Sequence, residues 1–452
     1  MKNLLNVLNK INSFVWGTPT LLLIFFTGVI ISIRTRFFQI RYFKTALKTF
    51  FKKSNSVSGK YMTPLQSVST ALSATMGTGN IVGVAGAIAL GGPGAVFWMW
   101  VSAIFCMIIK FAEIVLAVRY AQHNRDGSLS GGAMYYIKNA LPNFLSPLSV
   151  VFCLCGVVAA FGVGNATQIN AMSTSVTALV KTYFNLSLQG ESIVKLSLGI
   201  FCAICCAFVL KNDSNIGRFC EIIMPVMTLL YICMTFGVIA VEIKTVPAAL
   251  YKIFIGAFSP ASVTGGVIGS AFVGIRFGMS RGVFSNEAGL GTAPIAYACS
   301  NDNEIRLGLM GIVEVFIDTI VVCTLTALTI LCAGDIIYGV DSAAHITLNA
   351  FCSTYGKNAI LLFCPIVCFF AFSSVIGWGL YGTKFAVFLF GESAKKAFLF
   401  CFIILQIPAA LCSTDVVWIL AEITNGLMAL PNIAALLFLS NDIADITHRY
   451  TN

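Results

Sequence analysis

The residues able to do chemistry in this chain lie where it is otherwise most apolar. "MGTGNIVGVAGAIALGGPG", from Met76 to Gly94, carries Thr78 and Asn80 among glycines, with Thr75 just before it. Glycine costs a helix interior about 1 kcal/mol relative to alanine, so the stretch is built to come apart. An opened helix frees N–H groups, which suit a carboxylate, and carbonyl oxygens, which suit a small hard cation such as sodium. Gly77, Thr78, Gly79 and Asn80 are therefore candidate ligand contacts, with Thr75 beside them, while Gly83, Gly86 and Gly94 read as close-packing positions.

Other polar residues share that setting. Gln168, in "GVGNATQINAMS", is a primary amide that can donate to a carboxylate and accept from an ammonium group. Ser373 and Ser374, in "FFAFSSVIGWG", can complete a sodium shell begun by backbone carbonyls, or bond back to their own helix. Trp378, one turn on, walls a small pocket or packs. Lys110 and Glu113, three apart on one helix face, read as an ion pair. Glu314 and Asp318 either line an ion path or pair with Arg276 or Arg281. Asn286 and Glu287, in "FSNEAGLG", read as an inner gate or as supports of a broken helix. Ionisable groups at membrane depth are costly, and are usually paired or functional.

The elements that must position these residues follow from composition. Of 452 residues, 58% are hydrophobic and only 10% charged, against about 25% charged in soluble domains. Most of the surface must face lipid or other helices. Apolar runs of about 20 residues specify an all-α integral membrane protein rather than a barrel. Eleven candidate spans are expected at approximately 14–34, 66–91, 94–121, 147–182, 193–211, 219–243, 262–299, 305–334, 357–391, 396–412 and 415–440. The first run lacks a small-residue cleavage site and is read as a retained helix. Lys and Arg number seventeen on one set of connections and six on the other. That bias puts the N-terminus outside and the C-terminus in the cytoplasm of a plasma-membrane protein. The net charge of +10 is then a topology signal, and no basic domain for nucleic acid is present. The sixteen cysteines fall mostly inside apolar runs and the three histidines are scattered, so neither a zinc site nor a redox motif is implied.

The second and seventh spans are both glycine-interrupted and polar inside. They lie five spans apart, so equivalent positions enter the membrane from opposite sides. Spans 2–6 (about 66–243) and 7–11 (about 262–440) therefore read as two inverted repeats, with span 1 (14–34) extra, in one transporter domain covering 1–452. Such repeats place a ligand site at the membrane midplane between them.

"GTGNIVGVAGAIALGGPGAVFWMWVSA", "KFAEIVLAVRY", "GGAMYYI", "RGVFSNEAGLGTAPIAYA" and "GWGLYG" resemble the signature segments of the alanine or glycine:cation symporter family. The resemblance covers roughly residues 60 to 440. It implies a LeuT-like 5+5 inverted repeat with one extra N-terminal helix, and sodium-coupled, sometimes proton-coupled, uptake of a small neutral amino acid such as alanine or glycine. It further implies substrate contacts at Thr78, Gly79 and Gln168, a second broken helix around Phe272, and pocket-facing positions at Ser374 and Trp378. The reading is a sodium symporter, with a proton as the alternative coupling ion. Its partners are the bilayer and the amino acid; no obligate protein partner is expected. The competing readings are an ion channel or inorganic-ion transporter, or a symporter for another neutral amino acid such as glutamine. Symmetric pore-lining rings, expected of a channel, are not apparent. No triad, metal cluster or nucleotide loop stands at a readable spacing, so no enzyme is expected.

Overall fold

Span 2 starts where its sequence says it should. The Thr63 hydroxyl accepts from the Gln66 N–H, the Gln66 side chain accepts from the Thr63 N–H, and Pro64 takes the first helical position, a capping box. The helix runs Pro64–Thr75, breaks, and resumes as Gly79–Gly91 at a 50° bend. In this computed structural model, residues 2–52, 61–124, 127–258, 271–333, 343–412 and 415–451 are described.

Among the described residues, eight helical segments are long and apolar enough to cross a membrane: Leu5–Arg34, Ala95–Arg119, Leu148–Tyr183, Leu188–Val209, Asp213–Val241, Glu304–Ala333, Ala359–Phe390 and Ala394–Leu411. They match expected spans 1, 3, 4, 5, 6, 8, 9 and 10. Span 2 is the bent pair above, and span 11 is Glu422–Phe438, bent by 57° into the polar helix Ser440–Thr451. The described part of span 7 is the helix Ala271–Asn286. Two shorter helices, Val246–Phe258 and Ala343–Tyr355, lie in the connections between expected spans 6 and 7 and between spans 8 and 9. At about 1.5 Å per residue, their 13 residues each are too few to cross a bilayer.

Span 1 begins earlier than its hydropathy suggests, because the amphipathic helix Lys2–Val15 runs almost directly into Thr18–Arg34. It is fastened to span 11: the Trp16 indole N–H donates to the Glu422 carbonyl at 2.8 Å, and the Asn12 amide donates to the Glu422 carboxylate at 2.7 Å.

Three membrane-depth stretches are wound as π-helix: Gly79–Gly83, Gly162–Ala166 and Phe316–Cys323. Such turns widen the helix, leave carbonyls without their usual partners, and recur at functional sites. The first adjoins the break in span 2, the second lies just before Gln168, and the third contains Asp318. The first and third meet directly, where Asn80 donates to Asp318, and the second packs on span 9. A Cβ on Gly164 would stand 2.3 Å from the Trp378 Cβ, so span 9 lies directly on the π-turn of span 4. Gly94 has the packing role expected of it, since a Cβ there would fall 2.1 Å from the Gly256 backbone.

Candidate functional site

The break in span 2 is walled by spans 4 and 9. The Thr78 hydroxyl donates to Gln168 Oε1 at 3.2 Å, and Gln168 Nε2 donates to the Val163 carbonyl at 3.2 Å inside the π-turn of its own span. A Cβ on Gly77 would lie 2.7 Å from Ser374 Oγ and 3.3 Å from Gln168 Oε1. Glycine is the one residue that lets span 2 approach both neighbours at once. The Ser374 hydroxyl donates to the Ser73 carbonyl at 2.8 Å, on the last turn before the break. Gly77, Thr78, Gln168 and Ser374 are thus one cluster, assembled from three spans. Gly79 faces open space, with nothing within 4 Å of a Cβ built there.

A cavity of about 270 Å³ reaches this cluster at Thr78 and Val82. One wall is polar and comes from span 4, with Asn170, Thr174 and Ser175; the facing wall is apolar, with Leu348, Ile360, Phe363 and Val367.

Two proposed sodium ligands are turned elsewhere. The Thr75 hydroxyl donates back to the Ala71 carbonyl at 3.2 Å, and the Ser373 hydroxyl to the Phe370 carbonyl at 2.9 Å. This is the helical back-bonding open to any Ser or Thr in a helix. Asn80 and Asp318 form a second centre. Asn80 Nδ2 donates to Asp318 Oδ1 at 2.7 Å, while Ser285 and Thr319 donate to Asp318 Oδ2 at 2.7 and 3.1 Å. This buried carboxylate joins the π-turns of spans 2 and 8 to the end of the span 7 helix.

The ion pairs differ from those expected. Lys110 does not pair with Glu113 along its own helix; it pairs with Glu314 of span 8 at 3.2 Å, and Tyr297 donates to the other oxygen of Glu314 at 2.6 Å. Nor do Glu314 and Asp318 meet Arg276 or Arg281; Arg281 faces Glu422 at 3.9 Å. A one-helix reading missed this, because a long lysine reaches a neighbouring span as easily as its own next turn.

The break in span 7 among the described residues also lies away from Phe272. Residues 259–270 are outside the described part, as is the Phe272 side chain, whose backbone sits on the first turn of Ala271–Asn286. The helix ends at Asn286, whose amide caps back onto the Gly282 carbonyl at 2.6 Å. Glu287 then takes the left-handed φ of 49°, and Gly289 and Gly291 follow at 87° and 72°. Such a φ is strained for a residue with a Cβ and persists only where its surroundings hold it. Here Thr292 donates to the buried Glu287 carboxylate at 2.6 Å. Glu113 accepts from the Gly291 N–H at 3.0 Å and from Asn432 Nδ2 at 2.5 Å; Asn432 also donates to the Gly289 carbonyl at 2.9 Å and accepts from the Tyr136 hydroxyl. Glu113 therefore clamps an unwound backbone. Ser285, Thr292, Asn432, Tyr136 and Tyr297 were not singled out from the sequence. Asn432, a lone amide in the apolar run "ALPNIAALLF", carried the same signal as Gln168; the tyrosines carried none.

Among the described residues no group of three or more His, Cys, Asp or Glu is arranged to hold a metal, and all sixteen cysteines are free thiols. A family model described as "Sodium:alanine symporter family" matches residues 1–452. The sodium/alanine symporter AgcS of Methanococcus maripaludis is 38% identical, over 98% of this chain and 97% of its own. The probable sodium/glutamine symporter GlnT of Bacillus subtilis is 31% identical, over 97% and 89%. Among solved structures, MhsT in complex with L-phenylalanine superposes with a TM-score of 0.58 at 15% identity, covering 87% of this chain and 99% of that one. That likeness shows the fold, a LeuT-like helical transporter.

Proposed function

This chain belongs to the sodium:alanine symporter family, and on that premise we propose which of its residues hold the cargo of a sodium-coupled amino-acid symporter. The amino acid is alanine or glycine. Its carboxylate sits against the N–H groups freed at Thr78 and Gly79, where the half-helix dipole favours negative charge. Gln168 orients it, with Asn80, Ser374 and Trp378 completing the pocket. Sodium takes the carbonyls freed around Thr75 and Gly77, with the Ser374 hydroxyl and, after a rotamer change, that of Ser373. The chain is a carrier and not an enzyme. It lies in the plasma membrane with its N-terminus outside, and its repeats are spans 2–6 and 7–11. The cavity above Thr78 is then the outer approach, and the clamp of Glu113, Asn432 and Glu287 on the unwound end of span 7 belongs to the inner gate.

One observation supports this reading most: Gly77, Thr78, Gln168 and Ser374 meet at the break in span 2, and Thr78 of that cluster lines a cavity. Sodium and substrate bound next to each other must raise each other's affinity equally. The test is uptake of labelled alanine, glycine and glutamine into proteoliposomes with and without a sodium gradient, for the parent and Ser374→Ala. The expected result is sodium-driven alanine or glycine uptake, with Ser374→Ala needing several-fold more sodium for half-maximal rate. Uptake of glutamine alone would move the substrate to the GlnT-like choice. A sodium requirement unchanged in Ser374→Ala would remove that hydroxyl from the ion site.

A further inference from the structure

The added N-terminal helix encloses a second polar cleft of about 350 Å³ against the outer ends of spans 2, 7 and 11. Its charged lining is uneven. Arg276 and Arg281 on span 7 face a single described carboxylate, Glu422 on span 11, with the amides of Asn9 and Asn12 and the hydroxyls of Ser13 and Ser280 around them. The Arg281–Glu422 separation of 3.9 Å is long for a closed ion pair, and both side chains keep about a quarter of their surface exposed, 28% and 22%. Each guanidinium lies over an aromatic ring, Arg276 over Phe277 at 5.9 Å and Arg281 over Phe284 at 5.8 Å. Stacking fixes the plane of a guanidinium and leaves its edge N–H groups free to grip an oxyanion. Glu422 is held in turn by Asn12 at 2.7 Å, which leaves room on it for a cation.

We propose that this cleft is a second binding site, for a small zwitterion whose oxyanion lies between Arg276 and Arg281 and whose ammonium group lies on Glu422. The chemistry admits two sources, a free amino acid or the headgroup of phosphatidylethanolamine. Phosphatidylcholine carries the same charges, but its quaternary nitrogen has no hydrogen to donate to Glu422. The site depends on the added helix, which supplies Asn9, Asn12 and Ser13, so a transporter with the ten-helix core alone would lack it. It also touches the machinery of the first site: the Arg281 Cδ lies 3.8 Å from where a Cβ on Gly83 would stand, at the end of the π-turn that follows the break in span 2.

The experiment is equilibrium dialysis of labelled L-alanine against the delipidated full chain, paired with thermal unfolding in nanodiscs of phosphatidylcholine with and without phosphatidylethanolamine. The parent, Arg276→Gln, Glu422→Gln and Gln168→Ala are compared. An amino-acid site gives two alanines per chain, the second weakened at least tenfold in Arg276→Gln and Glu422→Gln. In Gln168→Ala that second alanine stays while the first weakens, so failure here is separable from failure of the central pocket. A headgroup site gives one alanine per chain, together with a rise in unfolding temperature on adding phosphatidylethanolamine that both cleft variants lose. One alanine per chain with no lipid effect, or either effect unchanged in both cleft variants, overturns the proposal. Arg276 is exposed on its helix, so Arg276→Gln is expected to fold as the parent does.

Discussion

Gln168 is committed at both ends of its amide: Oε1 accepts from Thr78, and Nε2 donates into the π-turn of its own span. The side chain is thereby held across the mouth of the span 2 break before any substrate arrives. Gln168→Ala should weaken alanine or glycine binding by about 1.5–3 kcal/mol, roughly 10- to 150-fold, the cost of losing a hydrogen bond to a charged partner. Calorimetry on the purified variant measures it, and binding within about twofold of the parent would take the amide out of the site. Gln168→Glu should be worse, because a carboxylate cannot donate to the Val163 carbonyl and repels that of the substrate. Asn432 gives a stability counterpart. Its amide supplies one of the two hydrogen bonds from Gly291 and Asn432 to the buried Glu113 Oε1. Asn432→Leu should cost about 3 kcal/mol, since it strips a buried charged group of a partner; chemical or thermal unfolding in detergent would show it. A neutral result would mean that water or another donor takes its place.

Among the elements, the contact of spans 4 and 9 is the least forgiving. A Cβ on Gly164 would stand 2.3 Å from the Trp378 Cβ and 2.4 Å from its Cγ. Both atoms lie close to the backbone and cannot swing aside as a side-chain tip would. Gly164→Ala must therefore push the spans apart, at an overpacking cost of about 1–3 kcal/mol. It should also disturb Gln168, four residues on. Gly79→Ala is the contrast, because a Cβ there meets nothing within 4 Å. The expected order is that Gly164→Ala unfolds earlier and loses substrate binding, while Gly79→Ala unfolds like the parent and affects binding only where the methyl group intrudes on the ligand. Equal unfolding temperatures for the two variants would contradict the tight contact.

At the scale of the whole molecule, the proposed topology predicts which face is labelled from outside. With the sixteen native cysteines replaced, a single cysteine in place of the exposed Lys244 should react with an impermeant maleimide added to intact cells. One in place of the exposed Lys396 should react only after permeabilisation. The reverse pattern would invert the topology, and with it the assignment of the cavity above Thr78 as the outer approach and of the N-terminal cleft as an outer site.

Much of this molecule is determined by its sequence alone, because a bilayer makes the reading of a chain nearly one-dimensional. Backbone groups in hydrocarbon must be satisfied within their own segment, so long apolar runs can only be helices, and their rough limits follow. The break in span 2 around Gly77 and Thr78 was legible for the same reason, and so were Gln168 and Ser374 as polar groups that meet there: polarity at membrane depth stands out against an apolar background. Partnership was not legible. Whether Lys110 meets Glu113 or Glu314, whether Ser373 or Ser374 turns toward span 2, and which carboxylate grips the loop at Gly289 and Gly291 depend on how helices distant in sequence are rotated and brought into contact. Those rotations are set by close-packed contacts such as Gly164 on Trp378 and Gly77 between Ser374 and Gln168. Such complementarity belongs to pairs of surfaces, and it exists only once the tertiary structure has brought them together.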